Sequence, residues 1–339
     1  MRRDQFRKTV VWLSFVLTIL VILAHSLNAE LFLGTAGAAG TVTERTEALV
    51  GGSVAQIAVP GFFMISSFLF FRDYDLSKTI KKCQRRVRTL LLPYLLWNGI
   101  YYLGYVLASR VPGLSRVVGK GIIPFTAQEL LRALLLHTYN YGFWYILQLL
   151  LLTLLSPLIY VVAKRTAAWA LASLLLCGMI ALRLDPTPVN ADALLYYLAA
   201  AGIALRAGSR DISEKGSRMG PGLVAAAVLL NFLANATGND LPRVLCRMSG
   251  AAAVWTLCAG ARLPEPRGII RRTFLIYAIH FAPVRLITKA ADVMFHGSAA
   301  LALGLYFLMP VLILLIAQGA DLLGKRYCSG FLRLLTGGR

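Results

Sequence analysis

Charge is scarce in this chain of 339 residues. Only 15% of them are Asp, Glu, Lys or Arg, and fifteen are acidic. A soluble surface needs roughly a quarter of its residues charged, so a soluble globular enzyme is excluded. Cysteines are also few. Cys83, Cys177, Cys246, Cys258 and Cys328 are scattered, odd in number and without a C-x-x-C pair. That pattern excludes a disulfide framework and a thiolate zinc site. No internal repeat is visible, which argues against a solenoid. Apolar residues, in contrast, make up 58% of the chain, and the mean hydropathy is +0.68. A disordered chain would be poor in them. The class that remains is an all-α, polytopic transmembrane helical bundle.

The net charge is +20, from 35 basic and 15 acidic residues. On a soluble protein that excess would suggest nucleic acid. In a membrane protein basic residues gather in cytoplasmic segments and set topology, so the lipid bilayer is the expected partner and nucleic acid is not. A crossing takes about 20 mostly apolar residues. Ten segments qualify: 9–28, 49–71, 90–109, 143–163, 167–184, 191–205, 222–236, 244–261, 273–288 and 299–323. With the N-terminus inside, 25 of the 35 basic residues fall on inner segments, which predicts ten spans with both termini cytoplasmic. The expected organisation is a basic cytoplasmic N-terminus (1–8), a ten-helix membrane domain (9–323) and a basic cytoplasmic tail (324–339). The first apolar run lacks a small-x-small cleavage site and reads as a retained helix rather than a signal peptide.

The longest outer connection, 110–141, carries an expected amphipathic helix at 128–137 with Thr126, Glu129 and Arg132 on its wet side. It reads either as a lid or as an interfacial helix without a role in chemistry. The Gly-rich stretch 34–40 has no Lys and no strand–helix setting, so it is not a phosphate cradle.

Ionisable groups at membrane depth are costly and mark candidate sites. On one helix, Ser14, Thr18, His25 and Asn28 would fall within about 80° of one another. They form a polar stripe with His25 as a candidate general base; the bland alternative is an interfacial histidine. His280 is the second candidate and shares a face with Thr273 and Tyr277. An imidazole titrates near neutral pH and can shuttle a proton. His137 and His296, in outer loops, have weaker claims. No intramembrane carboxylate is expected to orient His25, which leaves Asn28 or Tyr277 for that role. Between 72 and 88 the chain holds seven basic residues, ending in Arg85, Arg86 and Arg88. They read as a topology anchor on anionic lipid or as arginine forks for a phosphate-rich cytosolic ligand. Tyr141, Trp144, Tyr145 and Gln148, at the outer mouth of the fourth span, read as an interfacial aromatic belt or as a sugar-stacking wall. No metal site is expected.

Five patches in order resemble the acyltransferase-3 family of integral membrane acyltransferases. They are Val21-Ile22-Leu23-Ala24-His25-Ser26, Val59-Pro60-Gly61-Phe62-Phe63-Met64-Ile65-Ser66-Ser67-Phe68-Leu69-Phe70-Phe71, Arg85-Arg86-Val87-Arg88 through Leu92-Pro93-Tyr94-Leu95-Leu96-Trp97, Phe143-Trp144-Tyr145-Ile146-Leu147, and Phe274-Leu275-Ile276-Tyr277-Ala278-Ile279-His280. The resemblance covers roughly 10–323. The family includes enzymes that O-acetylate or O-succinylate bacterial surface glycans, so the resemblance implies a bacterial plasma-membrane enzyme that moves an acyl group, acetyl first among the candidates, from cytosolic acyl-CoA to a hydroxyl of an extracytoplasmic glycan or cell-envelope acceptor. The acyl-CoA is then a co-substrate, and no permanently bound cofactor is implied. The resemblance also implies that His25 matches the family's first-helix histidine, and that Arg86 and Arg88 match the basic start of the third helix that meets the acyl-CoA. Two positions depart from the pattern. Ser14 stands where many members carry arginine, and Ser67 where a glycine is usual. A transporter or flippase of a lipid-linked glycan or small polar solute is the alternative function. The oligomeric state is not legible.

Overall fold

The computed structural model of the protein describes residues 3–34, 41–206 and 214–338. Most of the Gly-rich stretch and the connection 207–213 lie outside the described residues. Among the described residues every regular element is helical. In chain order they are α1 (Arg3–His25), α2 (Ala29–Leu33), α3 (Val42–Val50), α4 (Ala58–Phe71), α5 (Thr79–Ala108), α6 (Leu114–Val118), α7 (Ala127–Leu136), α8 (Trp144–Leu154) and α9 (Ser156–Lys164). There follow α10 (Thr166–Ala181), α11 (Ala191–Arg206), α12 (Glu214–Thr237), α13 (Asp240–Gly260), α14 (Thr273–Ile279), α15 (Phe281–Phe295), α16 (Ala299–Tyr327) and α17 (Ser329–Leu335).

Each of the ten apolar segments read from the sequence is helical. Five stretches are long and apolar enough to cross a membrane: Asp4–Leu33, Val42–Phe71, Leu76–Ala108, Met219–Thr237 and Ala299–Tyr327. Two pairs, Tyr141–Leu154 with Ser156–Lys164 and Thr273–Ile279 with Phe281–Phe295, bring the number to seven if each counts as one span. Large apolar side chains are exposed along α10, α12 and α16, among them Leu174, Leu229, Phe232 and Leu315. Surfaces of that kind suit hydrocarbon rather than water.

The chain forms two compact units. One holds Met1–Val21, Ser53–Gln84 and Leu151–Arg271; the other holds Ile22–Gly52, Arg85–Leu150 and Arg272–Arg339. In the first, α4 packs on α11, with the Ser67 hydroxyl donating to the Tyr197 carbonyl at 2.6 Å. The hydroxyl that departs from the expected glycine thus has an acceptor for its proton. Ser14 and Thr18 are satisfied within α1, each bonding the carbonyl four residues back at 2.8 and 2.7 Å, a local alternative to an interhelical partner.

Three expectations need correction. Segments 143–163 and 273–288 are not continuous helices but are bent by 65° and 48°. Prolines are the cause, since a proline has no N–H for the carbonyl four residues back. Pro157 deprives Thr153 O, which the Cys83 thiol approaches at 3.5 Å. Pro283 deprives Ile279 O in the second unit. The first helix does not reach Asn28. It ends at His25, where the Ser26 hydroxyl turns back to Ile22 O at 2.6 Å. The second span does not begin near Leu49. Its helical path begins at Val42, capped by the Thr41 hydroxyl accepting from Glu44 N–H at 3.1 Å, and it carries Glu47 inward.

Candidate active site

The second unit brings the two candidate histidines together. The rings of His25 and His280 lie 5.2 Å apart, centroid to centroid. His25 is the last residue of α1 and half-buried, whereas His280 sits at the bend between α14 and α15 and is 1% exposed. The bend supplies the histidine with a partner. His280 Nδ1 lies 2.5 Å from the Tyr277 carbonyl. A carbonyl only accepts, so Nδ1 carries the proton and Nε2 is left as a bare acceptor. That Nε2 is buried with no hydrogen-bond partner. The other carbonyls freed at the break are met by Tyr101, whose hydroxyl lies 3.1 Å from Ala278 O and 3.3 Å from Ile279 O. The broken helix therefore costs little in lost backbone hydrogen bonds, and it aims an imidazole at the end of α1.

Aromatic rings wall the pair. Phe281 meets His25 edge-on at 5.4 Å, and the Arg285 guanidinium lies over the Phe281 ring, 5.3 Å from its centroid. Phe143 stacks on Tyr277 at 5.5 Å, and the Tyr277 hydroxyl donates to the Gly142 carbonyl. Gly142 faces the His280 ring, and a Cβ there would stand 3.9 Å from it.

Asn28 and Tyr277, the residues expected to orient His25, spend their side-chain donors elsewhere. Asn28 lies beyond the end of α1, where its Nδ2 donates to Ala302 O at 3.0 Å. No described side chain hydrogen-bonds the His25 ring. A carboxylate is nevertheless present, contrary to the expectation from the sequence. Glu47, 4% exposed, accepts from the backbone N–H of Asn28 at 2.9 Å and of Ala29 at 3.0 Å. It caps α2 from a different helix and fixes where the chain turns after His25. Its second oxygen, the side-chain amide oxygen Oδ1 of Asn28 and the Tyr306 hydroxyl are buried without partners. Thr43 lies in the same segment and bonds Ala299 O at 3.1 Å.

The family model described as an acyltransferase domain matches residues 11–318. The chain belongs to the acyltransferase-3 family. It is an integral membrane acyltransferase, and its histidine pair lies within the matched region. Among curated relatives, the succinoglycan biosynthesis protein ExoH of Rhizobium meliloti (strain 1021) is 26% identical over 320 residues, covering 86% of this chain and 81% of the relative. No solved structure matches this chain.

The remaining candidates lie at varying distances from the pair. Arg85 and Arg88 are exposed and Arg86 is half-buried on the first turns of α5. Tyr101 is on the same helix, thirteen residues after Arg88, a rise of about 20 Å. Of the aromatic group, Tyr145 and Gln148 are buried, Trp144 is half-buried and Tyr141 is 63% exposed. Tyr145 contacts the Tyr277 ring at 6.0 Å. His137 ends α7 in a left-handed conformation, φ 46°. Burial pushes its pKa down, and the Tyr94 hydroxyl lies 3.4 Å from its Nδ1. His296 pairs with Asp292 at 2.8 Å. The amphipathic helix α7 is capped by Thr126, and its Glu129 accepts from Tyr139 at 2.7 Å.

Proposed function

We propose that this acyltransferase moves an acetyl group from cytosolic acetyl-CoA to a hydroxyl of an extracytoplasmic glycan or other cell-envelope acceptor in a bacterial plasma membrane. Both termini lie in the cytoplasm, a topology supported by the excess of basic residues on the inner segments. The glycan acceptor is supported by the printed name of the succinoglycan biosynthesis relative. The donor is supported by the arginines at the start of α5, since guanidinium forks suit phosphates.

The observation that carries the reaction is the apposition of His25 and His280. His25, half-buried, takes the proton of the acceptor hydroxyl. The alkoxide oxygen forms a bond to the acyl carbon as the carbon–sulfur bond of the thioester breaks, and the proton returns to the departing thiolate. His280, held in one tautomer by the Tyr277 carbonyl, presents Nε2 beside His25 as the next acceptor in line. A variant of this chemistry has His25 carry the acyl group itself before the hydroxyl attacks.

Incubating the purified protein with radiolabelled acetyl-CoA and a glycan fraction from the cell envelope tests this reading. Release of free CoA with label appearing on the glycan is expected. Intact thioester after prolonged incubation, with folded protein and acceptor present, contradicts the acetyl donor.

A further inference from the structure

The final helix, α17, is seated by an irregularity in α5. Pro93 has no N–H to offer the Thr89 carbonyl, and the chain after α17 closes on that spot. A Cβ at Gly337 would overlap Thr89 O and lie 3.3 Å from Pro93 Cγ, and Gly337 has φ +64°. Only glycine fits both the space and the backbone conformation. One turn further along α5, Trp97 donates its indole N–H to Leu335 O at 3.0 Å. The Thr336 hydroxyl turns back to Leu332 O at 2.9 Å, and Leu332 and Leu335 are buried.

This seating places Arg333 of α17 and Arg88 of α5 on the walls of one cavity of about 280 Å³, completed by Thr89, Leu92, Gly330 and Gly338 among others. Among the described residues no carboxylate lines it. Among the described residues, neither arginine has an ion-pair partner. Two guanidiniums around one cavity repel each other, and an anion with several acceptor oxygens relieves that repulsion by accepting from both forks. Arg333 lies beyond residue 318, where the family match ends.

We infer that Arg88 and Arg333 form a phosphate-binding site whose second wall is the C-terminal helix. The ligand is a phosphate carried on a larger molecule. Two sources share that chemistry: the phosphates of CoA, an assignment that rests on the donor proposed above, and the phosphodiester of an anionic lipid headgroup, which does not depend on it.

The test uses the full-length protein in nanodiscs. In phosphatidylcholine discs, calorimetry compares CoA with dephospho-CoA, which lacks the 3′-phosphate, for the wild type, Arg88→Gln, Arg333→Gln and Arg333→Lys. Native mass spectrometry then measures retained phosphatidylglycerol for the same proteins. If CoA is the ligand, Arg333→Gln weakens its binding by about ten- to hundredfold. Arg333→Lys, which keeps the charge but not the fork, falls between. If the lipid is the ligand, Arg333→Gln lowers retention of phosphatidylglycerol by a similar factor and leaves CoA binding unchanged. Arg333 is exposed, so its replacement leaves the fold intact, and a melting curve verifies this. Wild-type CoA affinity and wild-type lipid retention in both glutamine variants overturn the site while leaving the donor reading standing. Absence of CoA binding in the wild type, with lipid retention lost in Arg333→Gln, keeps the site and removes the donor.

Discussion

Replacing Glu47 by alanine removes the one side chain that, among the described residues, receives the backbone N–H groups of Asn28 and Ala29. Both residues are buried, at 2% and 4% exposure, so water does not replace the carboxylate without rearrangement. Each buried donor left without a partner costs about 1–3 kcal/mol. The two together cost about 2–6 kcal/mol, a large share of the 5–15 kcal/mol that holds a typical domain. Glu47→Gln keeps one acceptor oxygen in place and loses only the charge, so its expected cost is the smaller part of that range. The turn after His25 is the structure at risk, and kcat for acyl transfer falls with stability in Glu47→Ala but recovers in Glu47→Gln. The assay is thermal unfolding of the purified protein in one detergent, followed by tryptophan fluorescence, with turnover measured well below the transition. Equal midpoints for wild type and Glu47→Ala refute the capping role. Equal loss in the alanine and glutamine variants refutes the hydrogen-bond argument and leaves only the charge.

Asp321, with its side chain 4% exposed, sits between Arg272 at 3.2 Å and Lys325. Breaking a buried pair by removing one partner costs about 3–5 kcal/mol. Arg272 and Lys325 keep some access to water, so Asp321→Asn is expected at or below the lower end, read as a reduced unfolding midpoint; an unchanged midpoint refutes the pairing. Tyr101→Phe strips the donor from Ala278 O and Ile279 O and destabilises by about 1–3 kcal/mol. In a Pro283→Ala background the new N–H can serve Ile279 O, so the same replacement costs less there; strict additivity of the two changes contradicts the account of the bend. In a cysteine-free chain, Asp240→Cys is expected to react with an impermeant maleimide from outside intact cells and Ile80→Cys is not; labelling at 80 overturns the topology.

Much of this molecule was readable from its residues because membrane crossing imposes long apolar runs. Each of the ten apolar segments holds helix, although only five stretches, or seven with the bent pairs, are long and apolar enough to cross, and His25 and His280 each stand out as rare ionisable groups at depth. Their apposition was not readable, because residues 255 positions apart in sequence meet only through the bend at Pro283. The proline itself was a visible signal, since it removes one N–H from an apolar run and frees Ile279 O. Glu47 was missed for a related reason. Hydropathy places the start of a span at the first uninterrupted apolar stretch, and a carboxylate just before it reads as a wet loop. The pairing of Glu47 with two backbone donors of another segment is what lets it sit inside. A 3.6-residue period extended past His25 puts Asn28 on the first helix, and nothing in the period marks where that helix stops. The seat of α17 also leaves a trace in the sequence, Pro93 and Gly337, but the two are linked only by tertiary contact.

The central claim is that the imidazole of His25 carries acyl transfer beside His280. The most direct measurement is turnover of labelled acetyl-CoA by His25→Ala against wild type, at matched protein levels in the membrane and with matched unfolding midpoints. A general base or nucleophile contributes about 10²-fold or more, so a loss of at least that size is predicted, with a milder loss in His280→Ala. Near-normal turnover in His25→Ala, with His280→Ala inactive, contradicts the claim and moves the base to the bend between α14 and α15.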